Sequence, residues 1–244
     1  RFVTGTALAG SGAALGGCDR IEFPDLVSDA QVEAMGLRAW DEITATTPVA
    51  RDDPRQRVLD EVSARCVRAA GERPGDWEVR LFDVAQVNAF ALPGRKIGVY
   101  AGMFDVARSD AELAAVIGHE IGHVQAEHAQ DRMSAEIAKN LGLRLIAIVL
   151  QLGDVEFAAG IAAALGLGAQ YGLILPYGRR QELEADRLGL RTMTAAGYDA
   201  NAAVRLWQGM AAAGGGGPPA FLSTHPAPTA RIEAIREMIP QIAA

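Results

Sequence analysis

The chain has 244 residues, 50% hydrophobic but only 6% aromatic, with 27 glycines; this composition suits one sizeable helix-rich domain and argues against a β-sandwich. A formal net charge of -7, with no run of Lys or Arg, gives no footprint for nucleic acid or for an anionic membrane surface. Two cysteines, Cys18 and Cys66, exclude a disulfide framework.

Arg1 is followed by an apolar, small-residue run over 2–17, with no acid before Asp19. That is the shape of an export signal lacking its first residues, and it is too short to remain as a membrane-spanning anchor. Its end, Leu15-Gly16-Gly17-Cys18, resembles the bacterial lipobox, in which the Cys is lipidated and becomes the new N-terminus. The alternative is a Gly-rich tail with an incidental thiol. The chain is therefore divided into a signal remnant with lipobox, 1–18, and a single domain, 19–244. Cys66, beside Val62, Val67 and Ala69 on a helical pattern, reads as a buried thiol without a function.

Ser28-Asp29 caps a helical pattern through Val32, Trp40 and Ile43 that Thr46-Thr47-Pro48 ends. A second helix runs from Pro54 to about Ala70. Alternation at Trp77, Val79 and Leu81, an apolar run over 87–92 and further alternation over 96–100 predict two or three strands, with a tight turn at Pro93-Gly94. Ser109 and Glu112 have the form of a capping box opening the next helix. Residues 141–175 are mostly apolar, but Arg144, Asp154 and Glu156 interrupt the first half and Ala and Gly dominate the second. This favours a buried or membrane-facing helical pair over a spanning hairpin. Pro176 to Gly178 breaks the chain before a charged helix from Arg179. Further helices over 199–213 and from Thr229 flank a loop at 214–219.

The helix opened by Ser109 carries His119-Glu120-Ile121-Gly122-His123. Two His four apart lie about 40° from one another at roughly 100° per residue, so both rings leave one face and can ligate one Zn²⁺. Glu120 swings aside, close enough to act as general base on a water without being a ligand. His128, five residues beyond His123, falls about 140° around a continued helix and reads as a solvated surface residue. The longer motif with a third His is ruled out, because Ala126 and Ala129 stand where its Gly and His would be. Downstream, Glu182 and Asp186 share one helical face and Glu184 lies about 200° from Glu182, so either face could supply a third ligand. A carboxylate beside the ligand, such as Asp186, suits the role of holding a ligand His by its other ring nitrogen.

Asn88-Ala89-Phe90 with Pro93-Gly94, His119 to His123, and Arg180-Gln181-Glu182-Leu183-Glu184-Ala185-Asp186 together resemble the HtpX, BepA and LoiP family of zinc metallopeptidases, relatives of the CAAX prenyl endopeptidase. The nearest likeness is to its lipoprotein branch, represented by LoiP. The resemblance runs from about Leu26 to the C-terminus, and Arg95-Lys96 departs from it where a second Gly is usual. It implies that Glu182 is the third ligand and that Asn88, Ala89 and Phe90 form an edge strand on which substrate lies as an added strand, although a packed core strand is compatible with the same residues. In BepA-like relatives a His-Pro loop brings its His to the metal. For His225 in Ser223-Thr224-His225-Pro226 three roles stay open: a zinc plug, an oxyanion donor or a structural residue. Arg231, one turn into the following helix, is a candidate for orienting that loop.

The expectation is an α+β, predominantly helical, gluzincin-like fold with a small sheet beside the H-E-x-x-H helix. One Zn²⁺ per chain is held by His119, His123 and Glu182, with Glu120 as base and Asp186 behind a ligand. The resemblance implies a zinc metalloendopeptidase acting on misfolded or damaged proteins of the bacterial envelope, at the periplasmic face of a membrane to which Cys18 anchors it. The rivals are an integral-membrane protease of HtpX type and a largely latent, zinc-stabilised binding or chaperone-like lipoprotein.

Overall fold

A computed structural model describes residues 26–152, 163, 165, 175–213, 220–226 and 228–242. The signal remnant with Cys18, most of the apolar stretch 153–174 and the loop at 214–219 lie outside the described residues. Helix α1, Asp29–Thr46, opens on a complete capping box in which Ser28 and Gln31 satisfy one another's backbone N–H groups. Helix α2, Pro54–Ala69, has Asp53 as its cap and Pro at its first position, where no N–H is needed. Its Cys66 is fully buried, and burial pushes the thiol up to about 12, so it is inert at neutral pH.

Three strands follow: β1 (Glu78–Phe82), β2 (Ala89–Leu92) and β3 (Lys96–Tyr100). They form one sheet in the order β1-β3-β2, with β1 parallel and β2 antiparallel to β3. The β2–β3 turn resolves the departure at Arg95. Both Gly94 and Arg95 take positive φ, 86° and 60°, and a side chain in that region costs about 1–2 kcal/mol. Arg95 is held there by two contacts: its Nε donates to Glu72 Oε2 at 2.7 Å, and its carbonyl accepts from the Glu78 N–H at 3.0 Å.

Helix α3 (Asp110–Gln125) begins as the Ser109 pattern predicts, with the Ser109 hydroxyl accepting from the Glu112 N–H. The Glu112 carboxylate accepts the N–H of Arg108 instead of that of Ser109, so the capping box is shifted by one residue. Every residue from Leu113 to His123 is buried, because α3 runs through the middle of the molecule against α2, β2, α5 (Leu175–Ala195) and α6 (Asn201–Ala212). Leu113, Ile117 and Ile121 are at most 1% exposed, and each contributes about 1.5–3 kcal/mol by burial.

Helix α4 spans His128–Leu152, while α7 (Ala220–Thr224) and α8 (Pro228–Ile242) close the chain, α8 resting on α5 and α6. Pro176 does not break the chain ahead of α5; it occupies the helix's first turn, where proline is tolerated. Leu141, Leu145 and Ile148 are about half exposed on α4. Among the described residues no helix is long and apolar enough to cross a membrane.

Candidate metal centre

The site is built where α3 crosses α5, and small residues set how closely they cross. A side-chain carbon at Gly189 would stand 2.7 Å from the His119 backbone nitrogen, and one at Gly118 would stand 2.8 Å from the Gly189 carbonyl oxygen. One turn along, a carbon at Gly122 would lie 2.9 Å from the Ala185 carbonyl oxygen. The two backbones therefore touch, and α5 presents Glu182 directly to the His face of α3. The spacing Gly118-x-x-x-Gly122 opposite Ala185-x-x-x-Gly189 is visible in the sequence as a small-residue stripe, the signal that would have located this crossing.

His119 Nε2 and His123 Nε2 are 3.1 Å apart, and Glu182 reaches them at 3.4 and 3.5 Å. His225, carried by the turn after α7, adds its Nδ1 at 3.2 Å from His119 Nε2 and 2.9 Å from Glu182 Oε2. The four ligand atoms all lie within 4.8 Å of one another, and all four residues are buried. Ligands bound tetrahedrally at zinc-like distances stand roughly 3.3 Å apart, which these separations match.

Charge gives an independent test. Glu120, Glu182, Asp186 and Arg231 are at most 4% exposed. With the histidines neutral, as metal ligation requires, three formal carboxylate charges against one guanidinium leave two negative charges, which a divalent cation would neutralise. Glu120 Oε1 is buried with no hydrogen-bond partner, and His225 Nε2 lies 3.5 Å from it. Such an orphan is costly unless a further group completes the site. The residues present thus fit a divalent metal.

Each ligand His is fixed from behind. Asp186 Oδ1 lies 3.1 Å from His119 Nδ1, and Arg231 clamps Asp186 through two bonds of 2.6 and 2.7 Å. Arg231 also pairs with Glu182 at 3.0 Å, donates to the His225 carbonyl at 3.4 Å and lies 3.7 Å above the Trp207 ring. It therefore holds together α5, the His225 turn and α6. Burial and the Arg231 charge oppose protonation of His119, but Asp186 and Glu182 outweigh them and raise it to about 9. Burial, reinforced by the neighbouring His119, lowers His123 far below the usual imidazole range and keeps it neutral. Burial would raise Glu182, yet hydrogen bonds and charge from His119 and His225 hold it well below ordinary carboxylates.

One reading from sequence is corrected. His128 is not a solvated residue but 1% exposed, with Nδ1 2.8 Å from His123 Nδ1. Helix α3 stops at Gln125, Glu127 adopts a left-handed φ of 53°, and His128 starts a new helix. Counting around a continued helix therefore misplaced it. The Asn88 to Phe90 segment enters β2, which lies at an edge of the sheet. The Phe90 ring packs with Trp40, Phe82 and Tyr100, while Ala89 is fully buried. A cavity of about 240 Å³ joins the end of this strand, at Ala91 and Leu92, to His123 and Val124.

The model of Peptidase family M48 matches residues 53–239. The chain belongs to this family. Among curated relatives it is 34% identical over 197 residues to the mitochondrial metalloendopeptidase OMA1 of Schizosaccharomyces pombe, covering 77% of this chain and 54% of that protein. It is 35% identical over 195 residues to the putative beta-barrel assembly-enhancing protease of Vibrio cholerae, covering 78% and 40%. Human OMA1 aligns over 226 residues at 27% identity, 88% of this chain and 42% of the relative. The chain spans about half the length of these relatives, or less.

Proposed function

We propose that this M48 peptidase domain is a zinc metalloendopeptidase, and the observation that carries the reading is the convergence of His119, His123 and Glu182 beside the unpartnered carboxylate of Glu120. Zinc in that cluster supplies Lewis acidity, polarising a peptide carbonyl and making water easier to deprotonate. Glu120 accepts the proton of the attacking water and returns it to the leaving amine. Asp186 and Arg231 hold His119 and Glu182 in place. In this reading an extended substrate adds to the edge of β2 at Asn88, Ala89 and Phe90, and the cavity that runs from the strand end to His123 supports it.

The names of the relatives, one assisting β-barrel assembly and one mitochondrial, support membrane-associated protein quality control as the setting. In this reading the substrates are misfolded or damaged proteins of a bacterial envelope, and the protein is a LoiP-like lipoprotein anchored through Cys18 on the periplasmic side. The support for the anchor is the lipobox and the apolar run before it. Casein cleavage with metal analysis tests the activity: one zinc per chain is expected, chelation should abolish cleavage and zinc should restore it.

The affinity for zinc should depend on pH in a defined direction. In the metal-free chain His119 titrates near 9, so zinc must displace its proton, and the apparent affinity should fall about tenfold per unit as pH is lowered from 9 towards 6.5. Without metal, the His119 contribution to stability is complete below 6.5, its ordinary value, and is lost as pH rises through 9. The lowered Glu182 and Asp186 act oppositely, stabilising above their ordinary 4.5 and 3.8 and losing that contribution on acidification. Chelator competition from about pH 6.5 to 9 checks the first limb, and thermal melts of the metal-free chain from roughly pH 3 to 9 cover both stability limbs; a zinc affinity flat with pH would contradict the His119 assignment.

His225 stands in the fourth ligand position, and in this proposal it is a plug that keeps the resting enzyme slow. This is also the observation that favours a largely latent state. His225→Ala is expected to raise casein turnover about 3–10-fold, since a displaced ligand of this kind contributes about 1 kcal/mol. A fall in kcat with unchanged zinc content would instead assign His225 to stabilising the transition state.

A further inference from the structure

The two ligand histidines are backed differently. His119 Nδ1 meets the Asp186 carboxylate directly, whereas His123 Nδ1 meets another imidazole, that of His128, at 2.8 Å. Both ligand rings point Nε2 into the cluster, at 3.1 Å from each other, so the proton of His123 belongs on Nδ1. It can only be donated to His128 Nδ1, which leaves the proton of His128 on Nε2. There the nearby Glu184 Oε2 stands 3.6 Å away, beyond hydrogen-bond reach, and Nε2 has no hydrogen-bond partner among the described residues. The donors of His123 and His128 therefore both point away from the metal cluster, the first into a hydrogen bond with His128 and the second towards the Glu184 side.

His128 is fixed by burial and through its backbone. It is 1% exposed and begins α4 immediately after the left-handed Glu127. Its backbone carbonyl accepts from Gln181 Nε2 at 3.4 Å and from Arg132 Nε at 3.3 Å. Gln181 and Glu184 lie on the same helix as Glu182 and Asp186, so α5 supplies a ligand, the support of one ligand His and the anchor of the other.

We infer that His128 is a positioning residue that accepts a hydrogen bond from the Nδ1–H of His123 and so fixes the tautomer and ring orientation of that metal ligand. The role rests on the zinc reading above. Loss of such a partner lowers metal affinity about 10–100-fold, and an amide oxygen can replace the imidazole as acceptor.

The test measures zinc affinity by chelator competition, with casein kcat and KM alongside. His128→Leu should weaken zinc binding about 10–100-fold and lower kcat at subsaturating zinc with KM unchanged; His128→Gln should restore affinity to within about threefold of wild type. Because His128 is buried and the Leu variant could fail to fold, a second measurement uses the wild-type chain. With four histidines in the protein, ¹⁵N-labelled imidazoles in the zinc-loaded form should show a slowly exchanging His123 Nδ1 proton coupled across the hydrogen bond to a second imidazole nitrogen. A folded His128→Leu variant with wild-type zinc affinity, or a His123 Nδ1 proton that exchanges freely, overturns the role of His128. A wild-type chain that takes up no zinc overturns the zinc reading itself, so the two failures are distinguishable.

Discussion

Glu120→Gln is expected to abolish measurable casein cleavage, lowering kcat by at least about 10³-fold, while zinc content stays at that of the wild type. The amide keeps the shape of the side chain but can neither take a proton from water nor return one to the leaving amine, and each of those transfers is worth about 10²–10⁴. Zinc retention follows from geometry. The side chains grouped closely enough to hold a metal are those of His119, His123, Glu182 and His225, and Glu120 is not among them. Nor should the variant be less stable. Glu120 is 1% exposed and its Oε1 has no hydrogen-bond partner, so replacing a charged group with a neutral one removes desolvation cost. Wild-type turnover in Glu120→Gln with zinc bound would sink the general-base assignment.

The second large effect is predicted at a residue that offers no ligand atom of its own. Gly189→Val would place a branched side chain where even one carbon comes within 2.7 Å of the His119 nitrogen and 2.9 Å of the Gly118 carbonyl carbon. Both neighbours are backbone, which cannot rotate away, so α3 and α5 must separate. Overpacking of this kind costs about 3 kcal/mol, a fall of roughly 6–12 °C in Tm for a domain of this size. Zinc affinity should fall with it, because Glu182 rides on α5 two turns from the contact and would be drawn away from His119 and His123. Gly142 is the control: it lies in α4 with nothing within 4 Å of a side-chain carbon, and Gly142→Ala should keep or slightly raise Tm through its better helix propensity. A Gly189→Val protein with wild-type melting and zinc binding would show that the crossing does not depend on this contact.

What the sequence determined by itself is the part of the protein governed by local geometry. The caps at Ser28 and Ser109, the period-2 strands and the pairing of His119 with His123 depend on neighbours within about one helical turn, and the structure has α1, α3 and all three strands at those places. Residue spacing could put Glu182 and Asp186 on one helical face, but it left open which face of α5 meets α3. That choice was made by Gly118, Gly122, Ala185 and Gly189, whose lack of side-chain bulk lets two backbones touch.

The tertiary structure also decided His128. A single left-handed residue, Glu127, redirects the chain after α3, and a residue other than Gly at positive φ leaves no mark in hydrophobic periodicity. From sequence Arg231 was a candidate for orienting the His225 loop and nothing more. Its contacts with Asp186, Glu182, the His225 carbonyl and Trp207 join segments far apart in the chain, and no spacing rule reaches across them. The H-E-x-x-H helix thus carried its own chemistry in sequence. The third ligand, the supports behind both ligand histidines and the place of His225 depend on how separate helices are brought together, and packing alone sets that.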